Sequence, residues 1–192
     1  GVDTDVFFPV EREAGEEFRI LFVSRLIERK GLQFVIPQLK EIQSSTDKKI
    51  KLIVVGDGPY RETLEQIAKD NQVYDMIDFV GQKDKSEIVT YYQNADLFIL
   101  PSAKEGMPNV VLEAMACGLP IIMTPCEGST ELICENGYKA ERKEFADYII
   151  KLIEDNEMRK EMSINSNKRV KKIFSWEHVV NEYLETLDGL LK

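Results

Sequence analysis

The chain has 192 residues, 43% of them hydrophobic and 31% charged, proportions that provide one substantial globular core. Lys and Arg number 25 against 34 Asp and Glu, a formal charge of −9, which excludes a general nucleic-acid surface and confines any phosphate site to a local cluster. No apolar run approaches the ~20 residues needed to cross a bilayer and no signal peptide is visible, so a soluble single-domain protein is expected.

In chain order, GVDTDVFFP is followed by an acidic connector, EREAGEE. Arg19 to Val23 (RILFV) reads as the first strand, and SRLIERKG after it places Arg25 and Lys30 five residues apart in a loop leading into a helix from Gly31 to Gln43. A guanidinium and an ammonium at a strand end suit a diphosphate, stabilising charge as it develops; Arg29 between them is read as solvent-facing. Ile50 to Val55 forms the second strand. It ends in Gly56-Asp57-Gly58-Pro59, a tight turn before the helix Tyr60 to Asp70. That turn lacks both the third glycine of a dinucleotide fingerprint and a P-loop lysine, so neither NAD binding nor ATP hydrolysis is indicated.

Met76 to Val80 is the third strand, followed by Gly81-Gln82-Lys83 and an amphipathic helix, Asp84 to Asn94, with Ile88, Tyr91 and Tyr92 as core residues. Asp96 to Leu100 is the fourth strand, closed by Pro101 and Ser102. Pro108 fits the first turn of the next helix, which runs from Asn109 to Cys117 and stops at Gly118. Glu105 therefore sits at the carboxyl end of a parallel strand, where open α/β sheets bind ligands, and Gly106 permits close backbone approach. The helix entrance offers unpaired N–H groups to an anion. Glu113, eight positions after Glu105, is already inside the helix. Two carboxylates beside an anion site suit hydroxyl groups, and a ligand with both phosphates and hydroxyls is a nucleotide sugar.

Pro120 to Thr124 gives a fifth strand, followed by a loop to Glu131, and Tyr138 to Ala140 a short last one. The cysteines, Cys117, Cys126 and Cys134, are three in number without a C-x-x-C pair. They fit neither a disulfide framework nor a zinc site and are read as buried thiols in a reducing compartment. Three helices close the chain, Lys143 to Asp155, Glu157 to Ile173 and Trp176 to Leu191, with Ser175 as N-cap of the last. That helix carries an apolar stripe, Val179, Val180, Tyr183, Leu184, Leu187 and Leu190. The only histidine, His178, lies on it and is read as structural or exposed. Strands alternating with helices define the fold class as α/β, a doubly wound parallel sheet, Rossmann-like, in a single domain.

The segment EGMPNVVLEAMACGLP, with SRLIERKG and GDGP upstream of it, resembles the Glu-x7-Glu motif and accompanying signatures of the retaining family 4 glycosyltransferases of the GT-B fold. The resemblance implies the C-terminal, donor-binding half of such an enzyme. Residues 1–18 would be an interdomain linker, 19–174 the nucleotide-sugar-binding domain, and 175–192 a helix that packs on a missing N-terminal domain. It assigns Arg25, Lys30 and Glu105 to catalysis, the first two holding the donor diphosphate. Gly56, Gly58, Val80, Lys83, Gly106, Met107, Pro108, Asn109, Val110 and Glu113 become donor-binding residues, with Val80 and Lys83 near the base and Glu113 on the ribose.

The resemblance further implies no metal and no cofactor. The substrate would be a UDP-sugar, with GDP- or ADP-sugar as alternatives, and the location cytoplasmic. The partners are a nucleoside diphosphate sugar and the acceptor-binding half, with no nucleic acid and membrane association only through that half. The fragment is expected to bind donor without transferring sugar. Two departures from the family pattern are Ser129-Thr130 before Glu131 and the early arrival of ERKEFADYI, which trims the sheet edge. A non-enzymatic nucleotide-binding module and a nucleotide-sugar epimerase-like domain are the alternatives from other classes.

Overall fold

The computed structural model describes residues 1–12 and 15–190. Part of the acidic connector, Leu191, the expected end of the last helix, and the side chain of Leu190 lie outside the described residues. Six strands, β1 (Glu17–Val23), β2 (Lys49–Val55), β3 (Ile77–Gly81), β4 (Leu97–Leu100), β5 (Ile121–Met123) and β6 (Gly137–Lys139), form one sheet in the order 3-2-1-4-5-6. Every pairing is parallel. The eight α-helices among the described residues are α1 (Leu39–Ser44), α2 (Arg61–Asp70), α3 (Lys85–Gln93), α4 (Asn109–Ala116), α5 (Ser129–Leu132), α6 (Phe145–Glu154), α7 (Asn156–Arg169) and α8 (Trp176–Leu190).

The apolar runs explain the architecture. Phe18, Ile20 and Phe22 alternate with Leu21 and Val23 along β1, and all five are buried, so both faces of the sheet are covered. All residues of β4 and β5 are buried as well. Strand order reverses between β1 and β4, which pair through Ile20 with Leu97 and Leu21 with Phe98. Connections leaving these two strands part to opposite faces, and a crevice opens between them at their carboxyl ends.

Several elements differ from the sequence reading. The helix expected from Gly31 to Gln43 is two short 3-10 turns, Leu32–Phe34 and Ile36–Gln38, before α1 begins, with a third, Glu28–Lys30, just ahead of Gly31. Gly31 is left-handed (φ 78°), and Pro37 has no N–H to give an i−4 carbonyl, so a continuous helix is broken twice. Pro108 is extended (ψ 116°) and stands at the N-cap of α4 rather than in its first turn. The loop after β5 contains the unanticipated α5, and α7 runs into a π-helical turn, Val170–Phe174. The cysteines are not all buried: Cys117 is, Cys126 is half-buried, and Cys134, on the surface loop before β6, is exposed. Burial pushes the Cys117 thiol up to about 12.

The N-terminal segment meets the turn that leads into α8. The Val2 N–H donates to Phe174 O at 2.8 Å and the Trp176 N–H to Val2 O at 3.0 Å, while Val2 and Phe7 are buried in the core. Ser175 caps α8 as expected, its Oγ accepting the His178 N–H at 3.2 Å. Beyond this cap α8 stands clear of the sheet: Trp176, Val180, Tyr183, Leu184 and Leu187 are exposed, Tyr183 by 69%. No helix of the described residues is long and apolar enough to cross a membrane.

Candidate functional site

The crevice walls come from four strand ends. After β1, the Leu26 N–H donates to Asp57 O at 2.9 Å and the Tyr60 N–H to Leu26 O at 3.1 Å, so the loops after β1 and β2 lie in contact. That contact explains both glycines: a Cβ on Gly56 would fall 1.9 Å from Ser24 O, and one on Gly58 would fall 2.3 Å from Leu26 O. A cavity of about 410 Å³ opens beside them, lined by Arg25, Gly56, Asp57, Lys83, Ile88 and Val110 among others. Arg25 is exposed and has no acidic partner among the described residues. Lys83 stands beside Glu87 at 3.4 Å, whose carboxylate raises its pKa. Val80 and Gly58 do not line this cavity; Val80 is half-buried against the core.

Lys30 and Glu105 meet across the crevice. The ammonium lies 2.6 Å from Glu105 Oε1, with side-chain exposures of 13% and 10%. The loops that carry them are clasped together: the Ala103 N–H donates to Arg29 O at 2.8 Å, and Arg29 Nη1 donates to Lys104 O at 2.9 Å. Arg29 is exposed, as read from the sequence, and its guanidinium serves in addition as a structural tie. Arg142, which sequence reasoning missed, adds a second, donating from Nε to Pro101 O at 3.1 Å while its guanidinium stacks on Phe34, 4.4 Å from the ring centre. No spacing signal marks it, because its acceptor is a backbone carbonyl 41 residues away.

At the start of α4, Asn109 and Val110 contribute N–H groups with no backbone acceptor among the described residues. Gly106 and Met107 are exposed, Pro108 is buried, and the loop after β5 supports this turn, a Cβ on Gly128 falling 1.9 Å from Gly106 O. Glu113, one turn after Val110 on the same face, receives a hydrogen bond at 2.7 Å from the hydroxyl of buried Tyr92. Burial raises its carboxyl, against the lowering effects of that bond and of Lys85. The structure therefore brings Arg25, Gly56, Lys83 and Val110 to one cavity, joins Lys30 to Glu105, and sets Glu113 against α3.

Fold and crevice together define a Rossmann-like α/β domain with Arg25, Lys83 and the first N–H groups of α4 at its strand-end crevice. The chain belongs to the glycosyl transferases group 1 family, whose sequence profile matches residues 3–169. It is 31% identical over 189 residues to an uncharacterized glycosyltransferase of Methanocaldococcus jannaschii, covering 95% of this chain and 48% of that protein. It is 32% identical over 169 residues to the N-acetyl-alpha-D-glucosaminyl L-malate synthase of Bacillus anthracis, covering 85% of this chain and 43% of that one. The chain thus spans about half the length of these curated relatives. Among solved structures, the C-terminal domain of a glycosyl transferase group 1 family protein from Francisella tularensis superposes with a TM-score of 0.82 at 28% identity. That match covers 92% of this chain and 100% of the other. The fold is that of the C-terminal half of a GT-B glycosyltransferase.

Proposed function

We propose that this domain holds the nucleoside diphosphate sugar donor of a retaining glycosyltransferase, and that the acceptor is held by a further half of the enzyme. The observation that carries the reading is that the loops after β1 and β4, where strand order reverses, hold Arg25, Lys30, Glu105 and the free amides of α4, with Arg25 and Val110 on one cavity and Lys30 paired to Glu105. As the bond between the anomeric carbon and the diphosphate breaks, its electron pair passes to the diphosphate oxygen. Arg25, Lys30 and the amides of Asn109 and Val110 stabilise that charge, so the step needs no metal ion. Glu105, with the backbone at Gly106 and Met107 beside Pro108, accepts hydrogen bonds from sugar hydroxyls; Glu113 accepts them from the ribose.

Lys83 and the strand end after Val80 border the base, with Gly56 on the opposite wall and Gly58 holding the turn behind it against Leu26. The donor is in the first place a UDP-sugar, then a GDP- or ADP-sugar, and the enzyme is cytoplasmic, in keeping with three free cysteines. The exposed apolar stripe of α8 supports contact with the acceptor-binding half, through which any membrane association would run.

Calorimetric titration with UDP, GDP and ADP tests the diphosphate site. One of them is expected to bind saturably, and Arg25→Ala is expected to weaken it by about tenfold, the value of one charge-assisted contact. An Arg25→Ala protein that binds that diphosphate as the parent does would remove Arg25 from the site.

A further inference from the structure

Tyr92 is fully buried, and a buried phenol needs an acceptor for its proton. Among the described residues that acceptor is Glu113 Oε2, at 2.7 Å. The ring is held from two directions. Phe7 packs edge-on against it, centroids 5.8 Å apart at 79°, and Phe98 of β4 lies 6.0 Å away. Phe98 belongs to the sheet and Phe7 to the N-terminal segment, so the hydroxyl is fixed relative to both.

The carboxylate it touches has a competing attraction. Lys85, seven residues before Tyr92 and so on the same face of α3, acts on Glu113 with its positive charge. Lys85 is exposed, and an unrestrained glutamate would turn towards it and away from the buried side. With Oε2 pinned by Tyr92, Glu113 Oε1 accepts no hydrogen bond from the described residues and is not sealed from solvent, which leaves it a free acceptor.

We propose that Tyr92 is a positioning residue for ribose recognition: its ring is packed against Phe7 and Phe98, and its hydroxyl holds Glu113 in the orientation that leaves one carboxylate oxygen for the ribose hydroxyls. This rests on the reading of Glu113 as the ribose acceptor. It goes beyond that reading in naming what orients the carboxylate, and in tying that orientation to the N-terminal segment through Phe7.

The test is calorimetry with UDP, GDP and ADP, each beside its 2′,3′-dideoxy counterpart, on the parent chain, Tyr92→Phe and Tyr92→Phe/Lys85→Gln. Phenylalanine keeps the ring and removes only the hydroxyl. The parent is expected to prefer the ribose form of the bound diphosphate by about tenfold. Tyr92→Phe should lose most of that preference, within about twofold of unity, while its affinity for the dideoxy form stays that of the parent. Removing the competing cation in the double variant should restore part of the preference. If Tyr92→Phe keeps the parent's preference, or weakens both forms equally, the positioning role is wrong while the ribose reading stands. A parent that does not distinguish the two forms overturns the ribose reading, and the positioning role with it.

Discussion

Gly31→Ala is expected to lower stability by about 3–5 kcal/mol, from steric overlap and backbone strain together. Gly31 is left-handed, with φ 78°, a conformation that costs an L-residue about 1 kcal/mol before any contact is counted. Its Cβ would lie 1.9 Å from Pro101 O. That carbonyl cannot withdraw freely, since Pro101 directly follows β4 and its oxygen accepts Arg142 Nε at 3.1 Å. Relief therefore means parting the two loops at the strand reversal, breaking the Ala103 and Arg29 tie and displacing Lys30. In a thermal melt a chain of this size should lose about 10 °C, at roughly 2–4 °C per kcal/mol, and diphosphate binding should fall with it. A loss under about 1 kcal/mol would mean that these loops do not touch as described.

The second large effect concerns the pair across the crevice. Lys30 and Glu105, each nearly buried, are 2.6 Å apart, so removing either leaves a charge poorly solvated. Fully buried pairs cost about 3–5 kcal/mol when halved; with some water contact about 2 kcal/mol is expected for Lys30→Met or for Glu105→Gln. The double variant Lys30→Met/Glu105→Gln should recover most of that, because neither charge remains. Binding separates the two residues. Lys30→Met should weaken a bare diphosphate by about tenfold. Glu105→Gln should bind it at least as tightly as the parent, since the lysine no longer has to leave a carboxylate, and should lose the extra affinity that the sugar conjugate has over the diphosphate. Equal weakening of diphosphate and conjugate in Glu105→Gln would show that Glu105 acts on the fold and not on the sugar.

Much of this was legible in the chain. The strands stand out because they are buried on both faces, so Ile20 to Val23 and Leu97 to Leu100 are unbroken apolar runs, each ended by a loop signal. Arg25, Lys30 and Glu105 follow those runs directly, and their place at strand ends carried the expectation of a ligand site. The broken segment after Gly31 was not legible, because Leu32, Val35, Ile36 and Leu39 suit a helix and a series of 3-10 turns alike, and all four are buried. Nor were the ties made by Arg29 and Arg142. Both donate to backbone carbonyls far along the chain, and a carbonyl carries no residue identity. Tyr92 was correctly placed in the core, yet its hydroxyl already required a buried acceptor, the signal that leads to Glu113.

The strand-end crevice, and no other basic surface, is expected to receive the diphosphate. A second cationic cavity, about 230 Å³, lies at the opposite end of the sheet, where Lys168, Arg169 and Lys172 surround Asn136 just before β6. Two-dimensional amide NMR of the isotopically labelled chain, titrated with UDP, GDP or ADP, compares the two directly. Saturable shifts are expected at Arg25 to Gly31, Gln82 and Lys83, and Gly106 to Val110, with the amides of Asn136, Lys168 and Lys172 unmoved. Shifts confined to the cavity around Asn136, with the loops after β1 and β4 silent, would contradict this expectation.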